Sequence, residues 1–180
     1  MDRCWFLTWT TYGTWLPGDA RGFVGPVWDD EKDRLVIHNQ VGTDFDRDMP
    51  APAKASQQKL KCSPIYLDVA QAECVAKQFE ETAHYRQWRL WAYAVMRNHV
   101  HLCVGVPGDP EPEDILRDFK AYASRSLNKH WSRPASGTWW TESGSKRKVQ
   151  LTEEDLASVV KYIREQEFPL IVWTYDGQKE

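Results

Sequence analysis

The sequence predicts an α+β sandwich, an antiparallel sheet with helices on one face and a further helix at its C-terminal end. Three observations carry that expectation. Segments rich in aromatic and β-branched residues occur at 4–12, 88–96, 99–106 and within 137–150, which is strand composition. Between and after them, 68–86, 113–131 and 152–167 repeat apolar residues at helical spacing. No apolar run approaches the roughly 20 residues that a membrane span requires.

The first strand is Cys4 to Tyr12, which mixes Trp, Phe, Leu and Thr. Residues 13–64 then form a long irregular insertion within a single domain over 1–180, punctuated by Gly13, Pro17, Gly18, Gly22, Gly25, Pro26, Pro50, Pro52 and Pro64. The first helix follows Asp68 as N-cap and carries Val69, Ala72, Val75, Ala76, Phe79 and Ala83 on one side. Strands at 88–96 and 99–106 come next, either joined by a tight turn at Arg97-Asn98 or continuous through a bulge. The second helix covers about 113–131, with Ile115, Leu116, Phe119, Tyr122, Ala123 and Leu127 on one stripe. A strand centred on Thr138-Trp139-Trp140-Thr141 follows. The last helix opens at Thr152, with Glu153, Glu154 and Asp155 in its first turn, and runs to about Glu167 before Pro169. Leu170 to Trp173 suit a short final strand. This order matches a ferredoxin-like sandwich with an added helix.

With 42% hydrophobic and 27% charged residues, the chain has the composition of a folded, water-exposed protein. A net charge of −3 and a pI near 6.0 exclude a protein that coats duplex DNA nonspecifically. They leave room for a small focused site, because local potential outweighs the total. Local basic groups are Lys120, Arg125 and Lys129 on the second helix and the run Lys146-Arg147-Lys148. The ten tryptophans suit the core, and some could stack unpaired bases. Cys4, Cys62, Cys74 and Cys103 lack metal-ligand spacing, and Cys4 and Cys103 read as small core residues. The start of the chain has no signal-peptide layout, so a reducing cytoplasmic setting is the expectation.

Chemistry concentrates in two places. His99-Val100-His101 lies on a strand, where alternate residues face the same way, so the two imidazoles project side by side. Such a pair is either two structural histidines or most of a divalent-metal site. On the last helix Tyr162 and Gln166 stand four apart and share a face. Leu156, Val159, Val160 and Ile163 form that helix's apolar stripe, and Tyr162 sits at its polar border with Asp155 and Ser158. Tyr122, on an apolar stripe, reads instead as a packing residue.

Met96-Arg97-Asn98-His99-Val100-His101 resembles the His-hydrophobic-His motif of HUH endonucleases. Tyr162-Ile163-Arg164-Glu165-Gln166 is similar to the Tyr-x-x-x-Gln motif of their single-tyrosine transposases, the insertion-sequence 200-like and REP-associated groups. Phe119-Lys120, Ser124 and Asn128 on the second helix fit the same family. Arg97 departs from it, standing where members commonly carry proline.

The resemblance implies that His99, His101 and Gln166 hold Mg²⁺ or Mn²⁺ and that Tyr162 attacks a phosphodiester of single-stranded DNA. It further implies a 5′-phosphotyrosine intermediate, recognition of DNA hairpins, no nucleotide cofactor, and a homodimer in which one chain can complete the other's site. Lys120, Arg125, Lys146, Arg147 and Lys148 are the candidates for DNA contact. Transposition by DNA cleavage and rejoining is the activity expected. The alternatives are a domesticated hairpin-binding protein without transposition and an RNA-binding module that uses its aromatic residues.

Overall fold

The computed structural model describes residues 1–16, 25–29, 34–38, 54 and 56–177. Its elements are β1 (Arg3–Thr10), β2 (Gly25–Asp29), β3 (Arg34–His38), α1 (Val69–Arg86), β4 (Arg89–Val95), β5 (His99–Val106), α2 (Pro112–His130), β6 (Ser145–Val149), α3 (Glu153–Arg164) and β7 (Ile171–Thr174). Five strands form one antiparallel sheet in the order β6-β1-β5-β4-β7. The path β1-α1-β4-β5-α2-β6 with its sheet order is the ferredoxin-like arrangement, to which α3 and β7 are added.

Alternation along the strands separates two cores. Leu7, Trp9, Val100, Leu102 and Val104 face α1 and α2, where they meet Val75, Phe79, Phe119 and Leu127. Phe79 is the hub of this layer, with its ring 5.5–5.8 Å from those of Phe119, Trp9 and Tyr93. Cys4, Ala92, Ala94, Met96 and Cys103 face the other way and are covered by Val159 and Ile163 of α3. The small residues on that side let the helix approach the sheet closely. Cys4 and Cys103 are buried there with their sulfurs 3.6 Å apart, as core residues.

The caps read from the sequence are present. Asp68 accepts from the Gln71 backbone N–H and Gln71 returns the bond, a reciprocal capping box. Thr152 accepts from Asp155 N at 3.2 Å at the start of α3. The connection at 96–98 is a turn between two strands, closed by Met96 N donating to His99 O. Among the described residues, no helix is long and apolar enough to cross a membrane.

Four expectations change. Residues 13–64 are not wholly irregular, since β2 and β3 pair as an antiparallel ladder; most of the remaining punctuating residues lie outside the described residues. The strand expected within 137–150 is present as Ser145–Val149, but it is not centred on 138–141, where Trp140 makes only a single bridge to Thr11. Trp139 and Trp140 owe their apolar signal to burial in the main core rather than to a ladder. Gly144 leads into β6, and a Cβ there would stand 2.8 Å from Thr8 O and 2.9 Å from the Leu116 side chain. α3 stops at Arg164, so Gln166 lies beyond the helix rather than on it. Tyr122 is half-buried and outside the core, with the Arg125 guanidinium 5.0 Å over its ring. The tryptophans divide similarly, since Trp9, Trp139 and Trp140 are core while Trp15 is exposed.

Candidate functional site

β5 is the central strand, and it begins at His99 beside the turn at Arg97-Asn98. His99 and His101 project to the α3 side with ring centroids 4.8 Å apart and planes at 85°. The strand register sets Thr10 opposite His99 and Thr8 opposite His101. Thr8 Oγ1 lies 2.9 Å from His101 Nδ1, and Asn98 Oδ1 lies 2.7 Å from His99 Nδ1. An amide oxygen only accepts, so His99 Nδ1 is the donor in this bond, and in the neutral imidazole Nε2 keeps the lone pair. The Thr8 hydroxyl can accept from His101 Nδ1 in the same way. Each imidazole is thus oriented through its Nδ1.

His101 is 6% exposed. Burial, and next the neighbouring His99, push its pKa down to about 4, against the opposing bond to the Gln166 side chain. It is therefore neutral at physiological pH, the form that ligates metals.

α3 lies over this pair. Tyr162 is 51% exposed, and its ring meets His101 edge-on at 5.5 Å and Phe6 at 5.7 Å. Phe6 in turn lies almost parallel to His101 at 5.7 Å. The polar-border placement read from the periodicity is what the helix shows. Gln166, although past the helix end, still folds back, its Nε2 donating to Tyr162 O at 2.9 Å. That bond turns the amide so that Oε1 is the acceptor left beside the histidines.

His99, His101, Gln166 and Tyr162 therefore come together within one chain. Two imidazoles with Nδ1 engaged and one amide oxygen are a donor set that fits a small divalent cation completed by water and substrate. No group of three or more His, Cys, Asp or Glu that could hold a metal occurs among the described residues; the Gln166 amide oxygen is a third donor within reach of the histidine pair.

The basic residues do not form one patch. β6 alternates, so Arg147, opposite Phe6, faces the site while Lys146 and Lys148 face the α1–α2 side. The Arg147 guanidinium lies 5.2 Å over the Phe6 ring. Lys146 pairs with Glu113 at 2.8 Å. Lys120 is turned inward, donating to the carbonyls of Thr141, Glu142 and Ser143, and burial lowers its pKa to about 8. Arg125 is on α2, across the sheet from α3.

Phe6, Thr8 and Asn98 shape the site and were not singled out for it by sequence reasoning. Phe6 and Thr8 do alternate on one face of a strand, but only the register reveals what they oppose.

A family model described as IS200-like transposase matches residues 65–166, and the chain belongs to that family. The match takes in both the histidine strand and Gln166. Among solved structures the chain resembles a REP-associated tyrosine transposase bound to a REP hairpin, at 14% identity over 89% of this chain, with a TM-score of 0.47. It spans 64% of the length of that structure. It also resembles a candidate transposase from Deinococcus radiodurans R1, at 17% identity over 93% of this chain and 94% of the other, with a TM-score of 0.40. No match was found among curated proteins.

Proposed function

We propose that this member of the IS200-like transposases is a metal-dependent endonuclease and strand transferase acting on single-stranded DNA. The observation that carries the reading is the exposed Tyr162 hydroxyl-bearing ring set against His101, in a site that also holds His99 and Gln166. A divalent cation, when bound, would withdraw charge from the phosphate under attack.

The chain's own residues supply the rest. Asn98 and Thr8 orient the two imidazoles. Phe6 and His101 hold the Tyr162 ring at its edge and limit where its oxygen can travel. That oxygen bonds to phosphorus while the bond from phosphorus to the 3′ oxygen breaks, and the phenolic proton is balanced by one gained at the departing 3′-hydroxyl. The result is a 5′-phosphotyrosine that the same hydroxyl, or another, can reverse without ATP. Of the basic residues proposed for DNA contact, Arg147, whose guanidinium lies over Phe6, is the candidate to meet a phosphate on this face. Hairpin-bearing DNA as substrate and a homodimer as the working form belong to the same reading.

Incubated with Mn²⁺ or Mg²⁺, the protein is expected to cut hairpin-bearing single strands, with no cutting in EDTA. Replacing His101 by Ala should lower the rate by roughly a hundredfold or more, as loss of a charge-stabilising group does. Cutting that persists unchanged in a His99→Ala/His101→Ala double variant would overturn the proposal. Tight hairpin binding without cutting under any metal would favour the domesticated alternative.

A further inference from the structure

We propose that a groove at the far end of the sheet from Tyr162 is a second DNA site, which holds unpaired bases by stacking. This rests on the function proposed above only in taking DNA as the partner. The groove has a volume of about 1030 Å³ and runs between the C-terminal end of α1 and the strands β4 and β7. Its walls are aromatic: Tyr85, Trp88, Trp173 and Tyr175 line it. Tyr85 is 75% exposed although nothing in the core requires a tyrosine there.

Arg89 also lines the groove, and Arg86 lies beside it against two of these rings. The Arg86 guanidinium lies 5.9 Å from the Tyr85 centroid and 6.0 Å from that of Trp88. Asp118 fixes it there through a 2.6 Å ion pair. Arg89 lies 5.6 Å from the Trp91 ring and 5.9 Å from Tyr175. The acid on the wall, Glu80, already accepts from the Tyr93 hydroxyl at 2.7 Å. Trp173 lies flat on Tyr93 at 5.4 Å, which braces its ring from one side.

Ring faces alternating with cations are what an unpaired strand needs, bases on the rings and phosphates near the guanidinium groups. A protein partner would instead meet a dry apolar centre with charges at the rim. Duplex DNA offers no base faces to stack, and the groove is too poor in cations to hold it by its backbone alone. Arg89 stands opposite Gly105 on β5, four residues along from His101, a separation of roughly 13 Å at strand spacing. The groove therefore holds a part of the strand that is not being cut.

The test uses the full chain in EDTA and a fluorescent single strand of about 15 nucleotides, longer than one stacking site requires, with no hairpin and with 2-aminopurine within it. Binding should quench the 2-aminopurine and raise the anisotropy. Tyr85→Ala and Arg89→Gln, both at exposed positions, should each weaken binding about tenfold, within the range for a base stacked on an aromatic ring. Their melting temperatures report that the fold is kept. Variants that bind as tightly as the wild type overturn the proposal, as does an equal loss for the fully paired duplex. Tighter binding of the matching oligoribonucleotide overturns it too and marks an RNA surface. Because EDTA removes any cutting, a failure of the enzymatic reading is seen separately.

Discussion

At the scale of single residues, the site depends on which nitrogen of each histidine carries the proton. Asn98 Oδ1 fixes this for His99 by accepting from Nδ1, while the Thr8 hydroxyl holds His101 Nδ1 and can serve it as acceptor or donor. A Thr8→Val substitution keeps the shape and β-propensity but removes the partner of His101. Calorimetric titration with Mn²⁺ should then show affinity reduced about 10- to 100-fold, the usual effect of losing such an orienting bond. The strand pattern made His99 and His101 legible, because period two is a property of any strand. Thr8 was not, because its relation to His101 exists only once β1 and β5 are paired in register across 93 residues of sequence.

At the scale of elements, the helices were legible to within about three residues because caps and apolar spacing are local signals. The exception is informative. α3 ends at Arg164, short of the expected Glu167, while Gln166 keeps its place through a bond to Tyr162 O. Spacing of four suggested a shared helical face, and the outcome is the same proximity reached through a turn. The centre of β6 was misjudged within 137–150, since tryptophans at 139 and 140 look like strand yet serve the core, whereas Ser145-Lys146-Arg147-Lys148 carries little apolar signal at a sheet edge. The start of α3 is set by Thr152, whose loss as a cap should destabilise the helix by about 0.5–2 kcal/mol. Thr152→Ala should therefore speed hydrogen exchange in 153–164 while leaving α1 and α2 protected. Equal acceleration throughout would show that α3 is not a separately yielding unit.

At the scale of the whole molecule, the sheet separates two tasks. One face carries a large aromatic core under α1 and α2, and the other carries a thinner layer under α3 with the site at its open end. Burying His101 in that layer couples the site to global stability. Its folded pKa of about 4 lies below the ordinary value of 6.5. Between those values the unfolded chain binds the proton and the folded chain does not, so stability falls as pH drops from about 6.5 through 4 and levels below. The loss amounts to roughly 3 kcal/mol at full extent, taking about 1.4 kcal/mol per pKa unit. Urea unfolding in EDTA at pH 7 and pH 4.5 should show a smaller acid loss for His101→Leu than for the wild type. An identical loss would mean that the imidazole titrates normally in the fold.

In the proposed reaction Tyr162 attacks the DNA. Mass spectrometry of the denatured, protease-digested product formed with Mn²⁺ and a hairpin-bearing single strand tests it most directly. A nucleotide phosphate is expected on the peptide containing Tyr162, and none when Tyr162→Phe is used. A nucleotide on the Tyr122 peptide, or strand cleavage with no tyrosine modified, would contradict it.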